Sequence, residues 1–94
     1  MNFKLELTDD VSFATVEEFK DLLSILKGRV SLGELREYKI DSPFATEKSI
    51  LDVDVDGPWP DYIEWYFESA NGMKRYKFSA NTYRGSGGKW QAIK

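Results

Sequence analysis

The sequence predicts an α+β domain in which one amphipathic helix packs on a curved, mainly antiparallel sheet of about five strands, in the order β-α-β-β-β-β. Three observations carry this expectation. A single stretch with helical apolar spacing lies between residues 15 and 27. Several other stretches alternate apolar and polar residues with period two. Two of them flank Asn71-Gly72, the dipeptide that best tolerates the positive φ angles of a tight type I′ hairpin. The whole chain, 1–94, reads as one compact domain, because half of 94 residues would bury too little apolar surface to offset its ordering entropy.

In chain order, Phe3, Leu5 and Leu7 alternate with Lys4, Glu6 and Thr8, giving a first strand that stops at Asp9-Asp10. The helix follows. Thr15 is a good N-cap and Glu18, three residues on, completes a capping box, with Glu17 and Glu18 where the helix dipole favours negative charge. Val16, Phe19, Leu22, Leu23 and Leu26 form its apolar face, and Lys27-Gly28 reads as the stop. Residues 34–40 are expected to form a strand near an edge, on which Arg36, Tyr38 and Ile40 share a face. Residues 41–48, with Pro43, make a connection in which Thr46 or Ser49 caps at most one turn.

From residue 50 the pattern sharpens. Leu51, Val53 and Val55 alternate with Asp52, Asp54 and Asp56, the signature of a strand with one dry and one wet face, and the turn Gly57-Pro58-Trp59-Pro60-Asp61 follows. Ile63, Trp65 and Phe67 then alternate with Tyr62, Glu64, Tyr66 and Glu68. With a two-residue turn at Asn71-Gly72, register follows by counting. Phe67 faces Tyr76, Trp65 faces Phe78 and Ile63 faces Ala80 on the buried side, while Glu68 faces Arg75 and Tyr66 faces Lys77 on the wet side. A glycine-rich turn, Gly85-Ser86-Gly87-Gly88, precedes a short final strand from Gln91 to Lys94.

Composition narrows the function. Hydrophobic residues at 41% and aromatics at 15% suffice for a packed core. The absence of cysteine removes disulfides and thiolate chemistry, and the absence of histidine removes the usual general base near neutrality and the commonest zinc ligand. No enzymatic role, metal or cofactor is therefore expected. The N-terminus lacks a signal-like apolar segment and no run approaches the roughly 18 apolar residues of a membrane span, so the expectation is a soluble cytoplasmic protein with no membrane partner. The net charge of -3 hides a segregation: residues 41–68 hold eight acids and one lysine, whereas residues 69–94 hold six bases and no acid. That contrast reads either as two halves of a hairpin neutralising each other or as a binding surface.

Three motifs bear on the choice. Asp52-Val53-Asp54-Val55-Asp56-Gly57 matches the opening of an EF-hand calcium loop, but the twelfth position is Ile63 instead of glutamate and Pro58 and Pro60 interrupt it. As a strand, the same residues make a wet face that pairing through the 57–61 turn would carry onto Glu64 and Tyr66. Trp59, held between two prolines, is either a lid over one end of the core or an exposed aromatic anchor beside the aspartates. Lys74, Arg75, Lys77, Arg84 and Lys89, interleaved with Tyr76, Tyr83 and Trp90, suggest a single-stranded nucleic-acid or anion platform; the glycine turn matches neither the P-loop nor the dinucleotide fingerprint. Register and the isoelectric point near 4.9 weigh against that platform and make nucleic acid a less favoured partner.

In outline the expected order of elements resembles the cystatin-like arrangement of a helix gripped by an antiparallel sheet, a likeness of fold that carries no function. In size, acidity and lack of catalytic equipment the chain is similar in general character to bacterial immunity proteins and to phage-encoded inhibitors of nucleic-acid-processing enzymes. The likeness implies a basic protein partner, such as a nuclease toxin. The site expected for it is an acidic, aromatic sheet face of Asp52, Asp54, Asp56, Trp59, Asp61, Tyr62, Glu64, Tyr66 and Glu68. The acids would steer association and the rings would supply buried contact.

Overall fold

The computed structural model describes residues 10–82 and 87–93. Its elements in chain order are β1 (Val11–Phe13), α1 (Val16–Ser31), β2 (Leu35–Tyr38), a single 3-10 turn (Ile50–Asp52), β3 (Tyr62–Ser69), β4 (Arg75–Asn81) and β5 (Gly87–Ile93). The five strands form one antiparallel sheet in the order β1-β5-β4-β3-β2, which leaves β1 and β2 at its two edges. The helix covers one face. Phe19, Leu22, Leu23 and Leu26 of α1 are fully buried in one cluster with Ile63, Trp65, Phe67, Tyr76, Phe78 and Trp90 of the sheet. The protein is thus α+β, with one helix on an open five-stranded sheet. The strand expected over Phe3 to Leu7 lies outside the described residues; β1 begins at Val11, and its Phe13 stacks on Phe78 with centroids 5.7 Å apart.

Helix α1 starts as its sequence dictates. Thr15 Oγ1 accepts the Glu18 N–H at 3.1 Å, and the Glu18 carboxylate in turn accepts from the backbone of Ala14 and Thr15, closing the capping box. These bonds hold the Glu18 carboxyl below the usual range, the one from Ala14 contributing most. The helix does not stop at Gly28, however. It continues to Ser31 and ends through Gly33, at φ 79°, with Gly33 N–H bonded to Val30 O and Glu34 N–H to Arg29 O. That is the paired bonding of a Schellman cap, so the glycine that ends the helix is the second of two candidates.

The β3–β4 hairpin has the register counted from the sequence: Phe67 opposite Tyr76, Trp65 opposite Phe78, Ile63 opposite Ala80, Glu68 opposite Arg75 and Tyr66 opposite Lys77. Its turn differs from the expected two-residue type I′ form. Ser69 pairs with Lys74, so four residues form the loop; Gly72 N–H bonds back to Ser69 O at 2.8 Å, and the Asn71 side chain accepts from Met73 N–H. Gly72 supplies the positive φ, 73°, on which the reversal depends. Register survives because the longer loop has the same centre.

The strand expected over residues 50–56 is absent. Ser49 caps the 3-10 turn by accepting the Leu51 N–H, and an irregular segment follows. The buried residues are Ile50 and Val53, three apart, not the alternating set; Leu51 is 51% exposed. The ladder shows why. Along the outer edge of β3, β2 pairs with residues 66–69, and at Glu64 the place is taken by Thr46, whose N–H donates to Glu64 O at 2.9 Å while its Oγ1 accepts the Glu64 N–H at 2.8 Å. No edge is left for residues 50–56.

The last strand begins at Gly87, earlier than Gln91. Gly88 lies opposite both Ala80 and Phe13, and a Cβ there would fall 2.6 Å from Phe13 Cζ, 2.8 Å from Ala80 Cα and closer still to Ser79 O. Gly88 is therefore a close-packing position in the sheet. Tyr83, Arg84, Gly85 and Ser86, invoked above for an anion-binding turn, lie outside the described residues.

Candidate functional site

The nine residues expected to share one acidic face fall into two groups. Tyr62, Glu64, Tyr66 and Glu68 project from β3 on the face of the sheet opposite α1, since their neighbours Ile63, Trp65 and Phe67 are buried beneath the helix. Asp52, Asp54 and Asp56 lie in the segment before β3, which is strapped to the helix side. The Lys27 ammonium donates to Ile50 O at 3.0 Å and to Val53 O, and Lys20 pairs with Asp56 at 3.2 Å. Asp61 stands exposed between the groups, its carbonyl accepting the Thr82 N–H. Nothing aligns Asp54 with Glu64, because the intervening strand pairing does not exist.

The aspartates are solvent-facing. Asp54 accepts the Asp56 N–H through its carboxylate and the Trp59 indole N–H through its carbonyl, at 2.9 and 3.0 Å. Trp59 stands edge-on to Phe19 with centroids 4.9 Å apart and is half-buried, closing one end of the core as a lid with one rim in solvent. The carboxylates do not converge as ligands: among the described residues no group of three or more His, Cys, Asp or Glu is placed to hold a metal ion.

The open sheet face is built differently. Glu64 is 5% exposed, the one buried charged residue among those described. Its two carboxylate oxygens accept from Tyr62 and Tyr66, each at 2.6 Å, and Lys77 stands 3.7 Å away. Burial alone would raise the Glu64 carboxyl; the two phenol bonds and the Lys77 charge outweigh it, and the group is held below its ordinary value. The phenols move the other way. Burial and the bond to Glu64 push Tyr62 up to about 12 and raise Tyr66 as well. Glu68 is neutralised too, by Arg36 from β2, whose Nε donates at 2.8 Å, and by Arg75 from β4 at 4.0 Å. The Arg75 guanidinium lies 5.5 Å from the Tyr38 ring centroid and the Lys77 ammonium 6.0 Å from that of Tyr66.

This face is consequently not an acidic one. Among the described residues, Arg36, Arg75, Lys77 and Lys89 share it with only Glu64 and Glu68, and the Tyr38 ring lies tilted beside Tyr66 with centroids 6.0 Å apart. Arg36 and Tyr38 share one face of a strand, as their spacing predicts, and the structure sets that strand beside β3. The 23-residue interval between the two strands hides their register, which unlike the hairpin has no short turn to count from.

No protein-family model, curated protein or solved structure matches this chain. Among the described residues no helix is long and apolar enough to cross a membrane.

Proposed function

We propose that this protein is a non-enzymatic binding module that engages a basic protein surface, acting as an immunity-type or inhibitory protein against a basic toxin or nucleic-acid-processing enzyme. The acidic segment 51–61 is its point of contact. One observation carries the reading: Asp52, Asp54, Asp56 and Asp61 stand exposed within ten residues of chain, whereas Glu64 and Glu68 are already satisfied by the sheet's own cations and phenols. Asp56 is 83% exposed even while paired with Lys20. Negative potential concentrated on one segment raises encounter rates with a basic partner by roughly 10- to 1000-fold and is sensitive to salt. Leu51 and the free rim of Trp59 supply the apolar contact that slows dissociation.

The test is cross-linking and mass spectrometry in cells that express the protein, wild type against D52K/D54K/D56K. A basic protein recovered with wild type and lost with the triple variant supports the reading. Equal recovery from both refutes it.

The open face favours a second reading. Among the described residues, four cations against two acids, laid over Tyr38 and Tyr66, suit a single-stranded nucleic acid or another anion, with the β4 and β5 cations joined by Arg36. A labelled oligothymidylate titrated at low salt, with binding lost on Arg75→Ala and Lys89→Ala, would establish it; no binding by wild type removes it.

A further inference from the structure

Resting on the protein-binding reading, we propose that the outer edge of β2, with the groove beside it, receives an extended segment of the basic partner, which adds to the sheet as a sixth strand.

The ladder defines that edge. In an antiparallel pair alternate residues point their backbone N–H and C=O toward the neighbouring strand. Ala70 N–H donates to Glu34 O, so with the observed register Arg36 and Tyr38 bond to β3 and the backbone groups of Leu35 and Glu37 point outward. Thr46 occupies the outer edge of β3 only beyond the end of β2, at Glu64. Alongside Leu35 and Glu37 runs a groove of about 440 Å3, lined on its apolar side by Val30, Leu35, Leu51 and Ala70. Leu51, half exposed on its rim, is followed directly by Asp52. The groove is thus continuous with the acidic segment.

A second copy of this chain is a poor occupant. Outward residues must face outward residues, and a register centred on Leu35 would set Glu37 opposite Gly33, whose φ of 79° is not that of a strand, so a two-fold pairing that uses both Leu35 and Glu37 centres on Arg36 or on Glu37. The first register sets Arg36 against Arg36, the second Glu37 against Glu37. Like charges directly opposite are unfavourable, above all for Arg36, which is 67% exposed, whereas Glu37 is 10% exposed and already holds Lys39 at 3.0 Å. A foreign strand escapes both. Its residue opposite Leu35 lies over the groove and is matched by an aliphatic side chain. Its residue opposite Arg36, which is 67% exposed, is matched by a hydroxyl or an acid. A base at its end is matched by Asp52, which has no ion pair among the described residues. A partner strand of alternating aliphatic and hydroxyl residues closed by lysine or arginine meets all three demands.

The probe is a capped seven-residue peptide of alternating threonine and valine with a lysine at each end, titrated into the isotopically labelled protein at low salt. The Leu35 and Glu37 amides are expected to exchange freely in the unbound protein and to slow at least tenfold with peptide, while the Leu51 and Ala70 resonances shift. N-methylation of the valines, whose amides face β2, weakens binding at least tenfold; N-methylation of the threonines does not. Leu51→Lys, a change at an exposed position, also weakens it at least tenfold with the other resonances in place. Shifts confined to residues 52–61, with Leu35 and Glu37 exchange unchanged, overturn strand addition and leave the acidic-segment reading standing. No binding at millimolar peptide overturns strand addition as well. Failure of the acidic-segment reading shows separately, as partner recovery indifferent to D52K/D54K/D56K.

Discussion

Replacing Glu64 with glutamine separates a structural carboxylate from a recognition carboxylate. In the folded protein the two oxygens accept from two phenols at 2.6 Å and face the Lys77 ammonium at 3.7 Å. Glutamine retains one acceptor, so one phenol must find a new partner or accept from the amide, and Lys77 loses its counter-charge. Hydrogen bonds to a charged group contribute roughly 1.5–3 kcal/mol each. Tyr62 is 43% exposed and recovers part of the loss from water, which leaves a net cost of about 2 kcal/mol, or roughly 8–16 °C in Tm for a domain of this size. The pH dependence adds a check. Because the folded carboxyl titrates below its ordinary 4.5, the stabilisation is fully present above that value and is lost as pH falls through the depressed one. Urea unfolding followed by the buried Trp65 and Trp90 should therefore show the full gap between wild type and Glu64→Gln at pH 7 and a smaller gap at pH 3. A gap under about 0.5 kcal/mol, or one equal at both pH values, refutes the structural role. Loss of the partner without loss of stability would return Glu64 to the recognition site.

Gly28 lies inside α1 with open space around its Cα, so Gly28→Ala should stabilise by about 0.5–1 kcal/mol, whereas Gly33→Ala, at φ 79°, should destabilise by about 1 kcal/mol; thermal melts of the pair decide which glycine ends the helix. Gly88→Ala drives a methyl into Phe13, Ala80 and the Ser79 carbonyl and is expected to cost about 3 kcal/mol or more, read by urea midpoint; a neutral result would mean that β5 yields easily against β1 and β4 at this point. Tyr62 and Tyr66 titrate late because the fold favours their neutral forms. The stability they contribute is complete below the ordinary 10.0 and, for Tyr62, is lost as pH rises through about 12; Tyr38 and Tyr76 are raised as well, so tyrosinate absorbance should show several late phenols in wild type, of which Tyr62 and Tyr66 move to lower pH in Glu64→Gln.

What the sequence made legible was whatever short-range geometry dictates. The β3–β4 register follows from where the hairpin is centred and from the matching of Trp65 with Phe78 and Glu68 with Arg75, so it held even though the turn took four residues instead of two. The capping box of α1 is likewise local. The C-terminus of that helix is not, because Gly28 and Gly33 are equivalent by residue type, and the packing of Val30 against the core and the bonds from Gly33 and Glu34 back to Val30 and Arg29 carry the helix past the first. Residues 50–56 alternate yet form no strand, because alternation states which side chains differ, not which partner strand is vacant. Their place on β3 is taken by Thr46, a residue with no apolar periodicity to announce it.

The same non-local cause redistributes charge. A block of eight acids followed by six bases suggests one negative surface and one positive surface. Folding brings Glu64 and Glu68 between β2 and β4, where Arg36, Arg75 and Lys77 neutralise them, and the strongest contrast along the chain becomes the most internally satisfied part of the sheet. The excess negative charge remains on the segment that failed to become a strand, where irregular backbone turns Asp52, Asp54 and Asp56 outward and leaves the apolar side of Leu51 uncovered. Had residues 50–56 paired with β3 through the 57–61 turn, they would have taken the β3 edge that β2 and Thr46 now occupy. Because β2 holds that edge, the acidic segment stays outside the sheet beside the edge strand, the arrangement that the proposed basic, extended partner would use.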